Sequence, residues 1–148
     1  MSSSFTEIDL TFKGYYPSND PAIPEKPGIY CIYSTKPSSQ DSAKRDLAKL
    51  LYIGQSGTGE ATLRSRIKQH ANQTNGDYPA SSGQYLYSFV ELRRDQLDMV
   101  ENALVFQFTP PGNEKLKDKY THSDVDITVA GSCAGLEDFR LYNGTERF

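Results

Sequence analysis

Apolar and polar residues alternate over positions 8–12, the period of a strand with one buried face. A stretch rich in proline follows (Pro17, Pro21, Pro24, Pro27) and predicts an irregular approach to the core. Residues 28–34, GIYCIYS, form a β-branched and aromatic run behind a turn signal, which predicts a strand. Over 38–49 the apolar positions Ala43, Leu47 and Leu50 recur at helical spacing behind Ser38 or Ser39 as cap, which predicts a short helix. Residues 51–55, LYIGQ, predict the next strand, stopped by SGTGE. A helix is expected over 61–72, a loop over 75–83, a strand over 85–92 and a long helix over 95–108, halted by Pro110-Pro111. Beyond Lys119 the pattern weakens: 125–129 reads as a strand and 136–141 as a helical turn or strand. The alternation of strand and helix over about 28–110 fits an α/β or α+β architecture.

Two helices carry polar residues where the apolar stripe should run. At about 100° per residue, Leu97, Val100, Leu104, Val105 and Phe108 form the buried stripe of the later helix, and Glu101 falls about 40° from Leu97, inside it. A carboxylate there needs a partner, a proton or a metal, because an unpaired buried charge costs several kcal/mol. The ordinary explanations are an arginine partner or a position at the mouth of a cleft. On the earlier helix, Arg66 and His70 lie four apart at the border of the buried face, while Arg64 and Lys68 point to solvent. Taken alone, each would be a snorkelling or merely packed side chain. Together with Glu101 they suggest a site built between the two helices.

The tripeptides Gly28-Ile29-Tyr30 and Tyr52-Ile53-Gly54 carry a further signal. They are followed by a glycine-containing turn, by Leu63-x-x-Arg66 with His70 one turn later, and by Glu101 with Pro110 and Asn113 beyond it. In this order and spacing the chain resembles the GIY-YIG nucleases over about residues 26–115. Tyr52 follows Tyr30 by 22 positions, longer than in compact members of that family; some restriction endonucleases resembling it also carry a long connection there. The resemblance implies an α+β fold: a small, mainly antiparallel three-stranded sheet flanked by helices. Residues 1–25 and 116–148 would be N- and C-terminal extensions of a single domain.

The resemblance also implies a metal-dependent DNA endonuclease that hydrolyses phosphodiester bonds. Glu101 would hold one divalent cation, Mg²⁺ (or Mn²⁺), a choice that suits an ion taking few protein ligands. Arg66 would clamp the scissile phosphate, since a guanidinium is always charged and forks onto two oxygens. Tyr30 would be the general base, with Arg66 and a hydrogen-bonding His70 favouring its phenolate. Tyr52 would orient phosphate or water, and Asn113 would tie the loop after the Glu101 helix to the strand turns. The alternatives are a nucleic-acid-binding module of the same fold without catalysis, acting with a partner, and a coincidence of strand sequences. With no room for a separate DNA-binding domain, specificity would come from the insert and tails, a homodimer or a protein partner.

Composition qualifies this picture. The chain has 148 residues, 36% apolar and 24% charged, with 10 Tyr, 7 Phe and no Trp, the profile of a foldable domain. No run approaches the roughly 18 apolar residues of a spanning helix. The first residues carry no signal-peptide pattern, and Cys31 and Cys133 form no CxxC, so a cytoplasmic protein with reduced thiols is expected. The net charge of −3 argues against a wholesale basic binder. Locally the balance reverses. Lys44, Arg45, Lys49, Arg64, Arg66 and Lys68 outnumber Asp46 and Glu60, and Lys115, Lys117 and Lys119 follow Asn113. Of these, Lys44, Arg45, Lys49, Arg64, Lys68, Lys115 and Lys117 are the candidate nucleic-acid contacts, a narrow basic track beside the site.

Overall fold

The computed structural model describes residues 5–38, 40, 45–57, 59–71 and 85–146. Six strands form one mixed sheet: β1 (Thr6–Tyr16), β2 (Gly28–Pro37), β3 (Arg45–Gln55), β4 (Tyr85–Glu91), β5 (Val125–Gly131) and β6 (Phe139–Leu141), in the order β3-β2-β4-β1-β5-β6. Helices α1 (Leu63–Ala71) and α2 (Leu97–Phe108) pack on it, α2 entered through a 3₁₀ turn at Arg94–Gln96. Among the described residues no helix is long and apolar enough to cross a membrane.

This corrects the expected small three-stranded sheet flanked by helices. The antiparallel trio β3-β2-β4 is present, but it continues into β1, β5 and β6 without a break. β1 makes the join. Its Lys13–Tyr16 end runs antiparallel to β4, and its Thr6–Phe12 end runs parallel to β5. The two terminal segments are therefore not appendages. Ile8, Leu10, Phe12, Val125, Ile127 and Leu141 share one buried cluster with Leu97, Val100, Ala103 and Leu104 of α2. Truncating a fully buried member such as Leu104 to Ala is expected to cost about 2–5 kcal/mol.

The predicted helix over 38–49 is also corrected over 45–49; residues 39 and 41–44 lie outside the described residues. From residue 45 onward the described chain is strand, and β2 and β3 form a hairpin with pairs from Ile29↔Gln55 to Pro37↔Arg45. The misreading has a physical cause. Ile32 pairs with Tyr52, Tyr33 with Leu50 and Thr35 with Leu47, so β3 carries extra residues at two places. Such bulges reset the two-residue alternation. Leu47 and Leu50, three apart, both pack on the α2-side core as a result, and that spacing mimics a helix. Within the Ser34–Leu50 insert, the described residues 34–37 and 45–50 extend the hairpin.

β2 is buried at every position from Gly28 to Tyr33, as expected for a strand covered on both faces. Ile29, Cys31 and Tyr33 face the α2 core, and Tyr30 and Ile32 face a second core with Leu63 and Ile67 of α1. Burial pushes the Cys31 thiol up to about 12, so it behaves as an inert apolar group. The proline-rich segment caps α1. Leu63 and Arg64 donate their backbone N–H groups to Lys26 O (2.8 Å) and Pro24 O (3.1 Å), and Thr62 and Ser65 cap each other through their hydroxyls. Gly28 is fixed by space: a Cβ there would lie 2.1 Å from Val90 O.

Candidate active site

The hairpin places Tyr30 and Tyr52 on the α1 side of the sheet, with ring centroids 6.2 Å apart. Gly54 stands opposite Tyr30 in the register. A Cβ on Gly54 would meet the Cζ and hydroxyl of Tyr30 and the Cε1 of Tyr52, each at 2.7 Å. Only glycine leaves room for both rings. Ser56 locks the open end of the hairpin. Its hydroxyl accepts from Gly28 N (3.1 Å), and its N–H reaches Gly28 O (3.0 Å).

His70, in the last turn of α1, packs against both tyrosines at 5.6 and 5.2 Å. Arg66 lies one turn earlier, half-buried, and donates to Gln69 Oε1 at 3.0 Å. The Tyr30 hydroxyl is buried with no hydrogen-bond partner, an arrangement that costs about 1–3 kcal/mol. Burial raises its pKa well above the usual 10, and Tyr52 and Glu101 add to the rise. Arg66 pulls it down through proximity, without a hydrogen bond of normal geometry, and does not reverse the outcome. Tyr30 therefore rests as a neutral phenol. Arg66 pulls toward the phenolate in the expected direction, but burial outweighs it, and the expected His70 hydrogen bond is corrected: His70 meets the Tyr30 ring edge-on rather than bonding the hydroxyl. Burial, then Arg66, lowers the pKa of His70 from 6.5, which leaves a neutral imidazole at pH 7.

Glu101 reaches the same place from α2, around the edge strand β3. Its Oε1 accepts from Gln55 Nε2 at 2.9 Å, and the same nitrogen donates to Asp98 Oδ1 at 2.8 Å. No cation stands within ion-pair distance of Glu101 among the described residues. Burial raises its pKa from 4.5, Asp98 raises it further, and the Gln55 bond and Arg66 oppose the rise. Glu101 lines a cleft of about 470 Å³ with Tyr52, Gly112, Asn113 and Lys115. The Asn113 side chain mimics a strand neighbour: it accepts from Ile53 N (3.0 Å) and donates to Ile53 O (2.9 Å). Gly112 N bonds Leu51 O beside it, so the loop after α2 is stitched to the YIG strand.

The basic candidates scatter. Arg64 folds back onto the proline-rich loop, donating to Ile23 O (2.8 Å) and Pro21 O (2.9 Å) with Glu25 3.7 Å away, so its charge is already engaged. Lys68 and Lys49 are exposed, Lys115 borders the cleft and Lys117 is half-buried. Lys44 and the side chain of Arg45 lie outside the described residues. The Arg45 backbone is seven residues from Tyr52, roughly 23 Å along β3. Three groups escaped the sequence reading. Gln55 directly follows the YIG tripeptide, and its place after a strand gave no chemical signal. Asp98 sits one turn before Glu101, a spacing that could have flagged it. Lys26 and Arg93 border a second groove of about 310 Å³ beside the start of α1.

The described residues contain no cluster of three His, Cys, Asp or Glu side chains that could hold a metal. Glu101, which makes no ion pair among the described residues, still fits an ion such as Mg²⁺, which keeps most of its waters. Comparison with family models, with curated proteins and with solved structures finds no significant match to this chain.

Proposed function

We propose that this chain is a divalent-metal-dependent DNA endonuclease of the GIY-YIG type, acting in the cytoplasm. The observation that supports the reading best is the buried, unpartnered Tyr30 hydroxyl, set among Tyr52, His70, Arg66 and Glu101. A buried polar atom without a hydrogen-bond partner is rare in folded proteins, and a ligand drawn in beside Tyr52 on the cleft would account for this one. DNA would supply that ligand as a phosphate group.

In this reading Arg66 grips the scissile phosphate and offsets the charge that builds on it, the largest single contribution in such reactions. Tyr52, half-exposed on the cleft, orients the phosphate. Tyr30 holds the attacking water and serves as base only when Arg66 is drawn against its hydroxyl, because burial alone keeps it protonated. His70, neutral at pH 7, is the group able to take the proton onward. Glu101 would hold the cation, Mg²⁺ or Mn²⁺, which supplies Lewis-acid stabilisation of the leaving oxygen when bound. A homodimer would give one site for each strand of the duplex.

The raised Tyr30 pKa favours one alternative, a domain of this kind that grips nucleic acid without cutting it. Incubating the purified chain with supercoiled, linear, branched and single-stranded DNA, in Mg²⁺ and in chelator, separates the two. Cleavage in Mg²⁺ that disappears in chelator and in Glu101→Ala, with an unchanged circular dichroism melt, is expected. Binding without cleavage on every substrate would leave the binding module.

A further inference from the structure

We propose that Gln55 is a positioning residue for Glu101, holding that carboxylate in the orientation a divalent cation needs. The inference rests on the metal reading of Glu101 above and adds a residue that neither motif contains.

The geometry begins with strand parity. Gln55 lies two residues beyond Ile53, which packs on the α2-side core, and its side chain reaches α2 as well. β3 is an edge strand, so nothing in the sheet stands between its end and the helix. Asp98 and Glu101 are three apart on α2 and share the face that meets Gln55. One amide nitrogen carries two hydrogens, and both are used: one goes to Asp98 Oδ1 at 2.8 Å and one to Glu101 Oε1 at 2.9 Å. Asp98 therefore fixes the amide, and the fixed amide fixes Glu101. Oε1 is committed to Gln55, which leaves Oε2 as the oxygen available to a cation.

The chemistry of the residue matters as much as its place. A lysine or arginine at position 55 would pair with the two carboxylates and neutralise the site. An amide orients them and leaves their charge uncompensated, which a partner for a cation must do. The unpartnered Tyr30 hydroxyl nearby is an independent sign that this region takes a ligand. Groups that orient a ligating carboxylate in this way typically contribute about 10–100-fold in metal affinity.

The test is titration of the full chain with MnCl₂ by calorimetry, with a thermal melt of each variant in chelator. Gln55→Leu is expected to weaken Mn²⁺ binding about 10-fold or more. Gln55→Lys is expected to melt at or above the wild-type temperature in chelator, because its ammonium bridges both carboxylates, and to lose Mn²⁺ binding. The loss in Gln55→Lys reports that the site needs its charge; the loss in Gln55→Leu, with a melt in chelator close to that of wild type, reports the positioning and is what a merely structural role would not produce. Wild-type binding matched by Gln55→Leu would overturn the role of Gln55 alone. A wild-type chain that binds no Mn²⁺ would overturn the metal reading of Glu101 along with it.

Discussion

The two halves of the sheet treat buried polar groups differently. In the half made of β1, β5 and β6 with the segments around them, such groups are saturated. Asn102 of α2 donates to Leu116 O and Lys119 O, both at 3.0 Å, and accepts from Thr121 N at 3.1 Å. Tyr120, fully buried, donates its hydroxyl to Ser123 O. In the half made of β3, β2 and β4, the buried hydroxyls of Tyr30, Tyr87 and Ser88 have no partner. One half is built to be finished without help. The other tolerates unmet bonds, and proteins keep such costs where function requires them.

The strongest way to break this contrast is a matched pair of hydroxyl deletions. Tyr30→Phe removes an orphaned group, so the fold should hold or gain up to about 1 kcal/mol, while cleavage should fall by about 10²–10⁴-fold. Tyr120→Phe removes a satisfied bond, so it should cost about 1 kcal/mol and leave cleavage alone. Urea melts and a plasmid-nicking assay read both. A Tyr30→Phe chain that is less stable than wild type, or that cuts as well, would dissolve the distinction.

Asn102→Ala tests the saturated half next. It strands two carbonyls and an N–H that Asn102 now satisfies, and should cost about 1–3 kcal/mol in a urea melt. Because Leu116 also lines the cleft, cleavage should weaken less than stability does. A change in activity with no change in stability would move Asn102 into the site half.

These residues also show what the sequence could and could not disclose. The strands at β2, β3 and β4, both helices and the meeting of Tyr30, Tyr52, His70 and Glu101 were legible, because the aromatic runs, the helical stripe and the polar intrusions in it are local signals. The joining of the two halves was not. β1 pairs with β5 across more than a hundred residues, and nothing local announces a parallel partner that far away. Bulges in β3 erased the alternation that would have revealed its length. Asn102 escaped notice because its partners come from residues 116–121, where the pattern fades. The neutral state of Tyr30 escaped notice because burial, which decides it, is a property of the packed sheet rather than of the motif.

A pH series sharpens the site half at a smaller scale. His70 has a folded pKa below 6.5, so the folded chain binds fewer protons than the unfolded one in that range. Its contribution is in place above pH 6.5 and is lost as the pH falls toward the folded value. Glu101 runs the other way. Its folded pKa lies above 4.5, so the protonated form favours folding at low pH, and that contribution is lost as the pH rises through the folded value. His70→Gln should therefore flatten the decline in melting temperature on acidification from pH 7 to pH 5. A His70→Gln curve parallel to wild type would show that the imidazole is not held neutral by its surroundings.

Arg64 offers the smallest effect and the finest distinction. It sits two residues from Arg66 on the same helix, and from sequence both could be phosphate contacts. The structure separates them: Arg64 spends its guanidinium on the carbonyls of Pro21 and Ile23 and on Glu25, while Arg66 faces the tyrosines. Arg64→Gln loses a partly exposed ion pair and at least part of a clamp on the loop that caps α1, which should cost about 1 kcal/mol or less. Its affinity for DNA should stay within about 2-fold of wild type, and the salt dependence of binding should keep its slope, because no phosphate contact is lost. Lys68→Gln, which removes an exposed lysine from the same helix, should lower the slope by about 1. If Arg64→Gln flattened the slope as much as Lys68→Gln, the loop clamp would have to open on DNA, and the border between the finished and unfinished parts of the molecule would shift to include the proline-rich segment.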